Sequence, residues 1–254
     1  MRASLFVTCL GDVFFPSAAA DAVRLLRSLG VEVDFPAGQT CCGQPAFNAG
    51  YQGAAREMAG RSMTLLEASV HVVVPSGSCT AMLRRYYPRL MGQEEVSPAD
   101  GTGTGPRIWE LSEFLVHGLG IRTLGDGLAG VRVAYHHGCH ALRELHLTGE
   151  ATELLVGAGA EVVRWDGADE CCGFGGLFSV SFPHVSVAMA DRKLDTLPPA
   201  DVITSTDGGC LMQLAGRMGR KGSHLPVVPL ASLLWKARGS AHSSRGEPCV
   251  AGGR

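Results

Sequence analysis

The chain has 254 residues, 46% of them hydrophobic and 18% charged, and its 22 Lys plus Arg against 24 Asp plus Glu leave a formal charge of −2. This is enough apolar chain for one large cored domain or two small ones and too apolar for a disordered one. No basic surplus exists to neutralise a phosphate backbone, and no apolar run reaches the roughly 18–20 residues that cross a bilayer; no nucleic acid and no transmembrane segment are expected.

Ala3-Ser4-Leu5-Phe6-Val7 reads as a short buried strand ending just before Cys9. The opening MRASLFVTCLGDVFFPSAAAD has features of a secretory leader, namely Arg2, an apolar stretch and Ala18-Ala19-Ala20. Gly11, Asp12 and Pro16 interrupt it, and a matching strand recurs later, so it is read as part of the fold. A helix follows from Ala18 to Leu29, with Val23 and Leu26 on its apolar face and Gly30 past its end. The strand Val31-Glu32-Val33 leads into a loop that delivers Cys41-Cys42-Gly43. A second helix, about Gly53 to Ser69, precedes the buried strand His71 to Val74, which runs into Pro75-Ser76-Gly77-Ser78-Cys79 with a helix behind it. Glu94 to Pro106 is polar and Gly-rich and reads as a surface loop, its GTGTG simple low complexity; Leu111 and Leu115 mark a closing helix.

Past a junction at Gly120 to Gly130, the order repeats. The strand Val131 to Tyr135 precedes Cys139, a helix spans Gly149 to Gly157 with Leu154 and Leu155, and Gly159 follows it. Glu161-Val162-Val163, Cys171-Cys172-Gly173, a helix at Val185 to Thr196, a strand at Asp201 to Thr204, Cys210 and the closing Leu230 and Leu234 complete the series. Cysteines 9, 41, 42 and 79 thus recur at 139, 171, 172 and 210, offset by 130 residues for the first three and 131 for the fourth. Such self-similarity marks a duplicated unit, and alternating strands and helices imply parallel sheets. The expected fold is α/β, with two pseudo-repeated units, each a small, mostly parallel sheet flanked by helices. Residues 1–121 and 122–237 form the units, and 238–254, rich in Gly, Ser and charge, is expected to be a disordered tail. Cys249 lies in that tail without a repeat partner.

In parallel α/β folds the carboxyl ends of the strands share one edge, where ligands bind. Cys9, Cys41, Cys42 and Cys79 can meet there, as can Cys139, Cys171, Cys172 and Cys210. Four thiolates per site is the ligand count of an iron–sulfur cluster. Structural zinc more often uses C-x2–4-C pairs, which neither unit offers, yet it stays a second reading; disulfides or inert thiols are a third. His136, His137 and His140 flank Cys139, and His140 is the one singled out to hydrogen-bond a cluster sulfur or shuttle a proton, against the plainer reading of partly exposed strand-end histidines. Asp207 could ligate iron or make a turn hydrogen bond. Gly173-Phe174-Gly175-Gly176 follows a CCG loop and lacks the dinucleotide fingerprint.

The duplicated C-x31-CCG…C pattern resembles the cysteine-rich CCG-domain family, whose members include cysteine-rich components of heterodisulfide reductase, glycolate oxidase and anaerobic glycerol-3-phosphate dehydrogenase. Within it, PSGSC, HHGCHALREL, CCGFGGLFSV and TDGGCLMQ resemble the lactate utilization protein A family, over about residues 2 to 236. The resemblance implies two 4Fe–4S clusters, one per repeat, on the eight repeated cysteines. Relatives with noncubane clusters end each repeat in C-x-x-C; Ser76 and Asp207 stand here in place of the first Cys of that pair, which leaves cubane and noncubane geometries open. The resemblance also implies a cytoplasmic electron-transfer subunit, at most peripheral to the membrane through its partners. It would work with lactate utilization proteins B and C in oxidising L-lactate to pyruvate, as an oxidoreductase subunit inactive alone. A cluster-dependent thiol or disulfide reductase subunit and a zinc-stabilised scaffold are the alternatives.

Overall fold

A computed structural model describes residues 1–92 and 105–243. The first repeat runs β1 (Arg2–Leu5), α1 (Cys9–Phe14), α2 (Pro16–Ser28), β2 (Glu32–Asp34), α3 (Gln44–Asn48), α4 (Gln52–Leu66), β3 (His71–Val74), α5 (Gly77–Ala81), α6 (Tyr87–Leu90), β4 (Arg107–Glu110) and α7 (Leu111–Glu113). Wide π-type turns at Met82–Tyr86 and Phe114–Gly118 extend α5 and α7. The second repeat runs β5 (Arg132–Tyr135), α8 (Cys139–Arg143), α9 (Glu150–Val156), β6 (Glu161–Val162), α10 (Leu177–Ser181), α11 (Pro183–Asp195), β7 (Val202–Ser205), α12 (Gly208–Arg220), β8 (Val227–Pro229) and α13 (Leu230–Ser243).

Both sheets are four-stranded and wholly parallel, in the orders β2-β1-β3-β4 and β6-β5-β7-β8. Their strands are apolar on both faces, as expected where helices cover both sides. Val73 faces one core while Val72 and Val74 face another, the two-residue alternation of a strand. The sequence reading holds for six strands and the longer helices, with Gly30 and Gly159 at φ 81° and 88° past α2 and α9. It lacks β4 and β8, which close each sheet, and the short helices α1, α3, α8 and α10. The last helix continues to Ser243, into the segment expected as tail; 244–254 and Cys249 lie outside the described residues, as do 94–104 of the expected Glu94–Pro106 loop.

The inner faces of the two sheets do not close separately. Leu5, Val73 and Trp109 of the first repeat share one core with Val133, Tyr135 and Val202 of the second, and with Leu25, Leu154 and Leu234 from three helices between them. The closing helices are exchanged: α13 packs on α2, and α7 on α9. The same crossing recurs nearer the cysteines, where α1 packs on α12 and α5 on α8. Burial on this scale, at roughly 25 cal/mol per Å² of apolar surface, makes each repeat the other's missing layer. It also sets the carboxyl ends of both sheets beside one interface.

Candidate metal centre

Each cysteine lies just past a strand. Cys9 and Cys139 open α1 and α8 behind β1 and β5, Cys79 and Cys210 sit in the first turns of α5 and α12 behind β3 and β7, and the CCG loops follow β2 and β6. The first loop is tied to the end of β1 by Gln39, whose side chain donates to Leu5 O (2.7 Å) and accepts from Val7 N (2.9 Å). The glycine after each pair is required: Gly43 and Gly173 have φ 83° and 81°, and a Cβ on Gly173 would lie 2.4 Å from Ser186 O. The chain turns back there and presents both cysteines to the strand ends.

All eight repeated cysteines are free thiols, and each set of four is contiguous. Cys9 and Cys41 Sγ are 3.4 Å apart and Cys42 and Cys79 Sγ 3.3 Å apart, with Cys41 hydrogen-bonded to Cys42 as well. In the second repeat Cys171 joins Cys139 and Cys172, and Cys172 joins Cys210. Thiol donors hold Cys41 down to about 3 and Cys171 down to about 2, the largest effects coming from Cys42 and Cys139 respectively. Their partners Cys9, Cys42, Cys139 and Cys172 are pushed up by the same hydrogen bonds, then by burial. Within each set the crowding thus favours one thiolate and opposes ionisation of its neighbours unless a cation replaces their protons. That is the behaviour of a metal site, and four crowded, deprotonatable sulfurs fit a thiolate-held metal or cluster.

The surroundings of the two sets differ. Phe6, three residues before Cys9, is buried and apolar. His136, three before Cys139, is fully buried; its Nδ1 lies 3.2 Å from Ala168 O, and its Nε2 has no hydrogen-bond partner. A ring nitrogen of His136 and the sulfurs of Cys172 and Cys210 lie within 4.8 Å of one another. Burial, reinforced by the charge of Lys193, holds this imidazole down to about 3, so it is neutral. Lys193 of α11 is itself fully buried. Its ammonium donates to Gly167 O, Ala168 O (3.0 Å) and Glu170 O (3.0 Å), and sits 4.2 Å from the centre of the Trp165 ring. Burial lowers it to about 8, which leaves it charged at neutral pH. The nearest acid in sequence to that loop, Glu170, bonds Arg192 instead (3.0 Å). In the first repeat the corresponding helix face presents Ser62, and a phenol serves the loop: Tyr87 Oη donates to Cys42 O (2.9 Å).

Ser76 and Asp207, the replacements for the absent cysteines, meet across the interface. Ser76 Oγ donates to Asp207 Oδ1 (2.9 Å), and Ser78 N donates to the same oxygen (2.9 Å). Ser76 also accepts from Cys79 N as the cap of α5, while Asp207 makes no side-chain cap for its own α12. Asp207 is thus a hydrogen-bond partner of Ser76 and Ser78 across the interface. His140, the histidine expected beside the sulfurs, points elsewhere: Nδ1 is 2.7 Å from Glu144 and Nε2 is 3.4 Å from Gln44 Nε2. Lys193 went unnoticed in the sequence, and His136 was named there only as one of three histidines flanking Cys139; aligning the repeats, which sets Phe6 opposite His136, was the available signal.

The cysteine-rich CCG domain model matches twice, at residues 3–84 and 133–215. Lactate utilization protein A 2 of Bacillus cereus (strain Q1) is 37% identical over 93% of this chain and 98% of its own. Lactate utilization protein A of Geobacillus thermodenitrificans (strain NG80-2) is 40% identical over 92% of this chain and 98% of its own. Among solved structures, a hypothetical protein from Helicobacter pylori superposes with a TM-score of 0.61 at 10% identity, a likeness of fold alone; 94% of this chain is covered and it spans 49% of that one.

Proposed function

This chain belongs to the lactate utilization protein A family of cysteine-rich CCG-domain proteins, and from that premise we propose that it is the iron–sulfur electron-transfer subunit of a lactate-oxidising system. The observation that carries the reading is the duplicated set of four contiguous free thiols, placed by two parallel sheets on either side of one interface. Cys9, Cys41, Cys42 and Cys79 would hold one 4Fe–4S cluster, and Cys139, Cys171, Cys172 and Cys210 another. Such a cluster, when bound, takes up and returns one electron.

The chain's own groups do the rest. Gly43 and Gly173 turn the paired cysteines inward, Tyr87 and Lys193 hold the loops that carry them, and Cys42 and Cys172 are buried while Cys9, Cys41, Cys139 and Cys171 stay partly exposed. No flavin or nicotinamide motif accompanies these sites, so hydride removal from lactate falls to the companion proteins of the system, lactate utilization proteins B and C. No helix among the described residues is long and apolar enough to cross a membrane, and a cytoplasmic place is part of the proposal.

Purification without oxygen, with iron, sulfide and zinc counted per chain and an EPR spectrum of the reduced sample, tests the reading. About eight irons with matching sulfide are expected, together with no lactate oxidation by the isolated chain. Zinc without sulfide would leave a structural scaffold and end the electron-transfer reading.

A further inference from the structure

We infer that His136 is a fifth protein ligand of the second metal centre, binding through Nε2, and that the first centre has no counterpart. The inference rests on the cluster-binding reading above and adds an imidazole to its eight thiols.

The argument begins with proton placement. Nδ1 of His136 faces Ala168 O at 3.2 Å, and a carbonyl only accepts, so Nδ1 carries the proton. With Nδ1 turned to that carbonyl, Nε2 is the nitrogen left with a lone pair to offer. Nε2 is buried and has no hydrogen-bond partner, and the ring has a nitrogen within 4.8 Å of the sulfurs of Cys172 and Cys210. Once those sulfurs are thiolates they have no proton to offer, so a hydrogen bond cannot satisfy Nε2 in the loaded protein. A metal ion can, and an acceptor left bare in the interior is costly.

The ring is also held as a ligating histidine is held. A backbone carbonyl on the far nitrogen fixes tautomer and orientation, and here that carbonyl is itself fixed. Ala168 O accepts from Lys193 Nζ (3.0 Å) and His137 N (3.1 Å), and Ala168 N donates to Trp165 O (2.9 Å). The neighbouring histidines are engaged elsewhere: His137 packs edge-on against Tyr135 and faces Asp169, while both nitrogens of His140 lie against Glu144 and Gln44. Phe6 occupies the matching place in the first repeat with no atom that could bind iron.

Pulsed EPR of the dithionite-reduced full chain, prepared with natural-abundance and with 15N-labelled histidine, reads the ligand directly. A nitrogen hyperfine coupling of directly bound imidazole is expected, switching to the 15N pattern on labelling and absent from His136→Phe, which installs the residue of the first repeat. The labelled wild type gives the answer even if the variant fails to fold. Iron and sulfide at full content without such a coupling would overturn the inference, as would a coupling that persists in His136→Phe. Zinc without sulfide is read separately, in the metal analysis, and would overturn the underlying reading and this inference together.

Discussion

The two repeats hold the same four thiols on the same sheet topology, yet they surround them differently. Phe6, Met82 and Tyr87 pack around the first set; His136, Lys193 and Trp165 stand around the second. Adding an electron to an anionic cluster is opposed in an apolar pocket and favoured beside a buried cation. The duplicated frame keeps the thiols, and their lining differs: apolar around the first set, with a buried lysine and imidazole beside the second.

The largest effect that can break this comparison is loss of one site alone. Cys42 is 2% exposed and lies 3.3 Å from Cys79, so Cys42→Ser should remove about half of the iron and sulfide. Cys172→Ser should remove the other half, and the two EPR spectra then serve as single-site references. Equal loss at both sites from either variant would mean that the repeats do not load independently.

Lys193→Met is next. It keeps the buried stem and removes the charge together with its hydrogen bonds to Gly167 O, Ala168 O and Glu170 O. We expect a cost of about 3 kcal/mol in thermal unfolding, from hydrogen bonds to a charged group. In an EPR-monitored redox titration the second centre should move to lower potential. The electron-sharing ratio between the centres should change at least tenfold, roughly 59 mV for a one-electron couple. A fall in stability with unmoved potentials would reduce Lys193 to a clamp on the loop and remove the electrostatic half of the comparison.

Asp207 offers a subtler contrast, because it lies in the second repeat and serves the first. Its Oδ1 receives Ser76 Oγ and Ser78 N at the start of α5, the helix that bears Cys79. Asp207→Ala should cost about 2 kcal/mol and lower the iron of the first site while sparing the second, judged against the single-site spectra. Loss at the second site instead would show that Asp207 acts on its own helix or on its own metal.

The repeat, the succession of strands and longer helices along it, its parallel sheets and the spacing of the eight cysteines were legible because a duplicated frame repeats its spacing whatever surrounds it. The short helices were not: a run such as Cys9–Phe14 is under two turns and is held by packing on α12, not by its own periodicity. Strands β4 and β8 escaped for a related reason. RIWE follows a low-complexity stretch and VVP ends in proline, so neither carries a pattern until a neighbouring strand pairs with it. Lys193 gave no warning because lysine is rarely buried. His140 drew attention by adjacency to Cys139, whereas His136 reaches the sulfurs because it ends β5 pointing into the outer core. The shared inner core was also invisible, since a strand's apolar face does not say which sheet will cover it.

The smallest expected effect concerns the ninth cysteine. Cys249 has no partner at an offset of 130 or 131, and each described site already contains four thiols in contact. If membership of the duplicated frame is what makes a thiol a ligand here, Cys249→Ser should leave iron, sulfide and both single-site signals unchanged. The null result is informative because the two sites are unequal. With His136 absent from the first site, that site is the one where an extra donor could be missed. Iron loss confined to the first centre would identify a thiol from outside the frame completing it, and the contrast between a four-ligand and a five-ligand centre would then have to be redrawn.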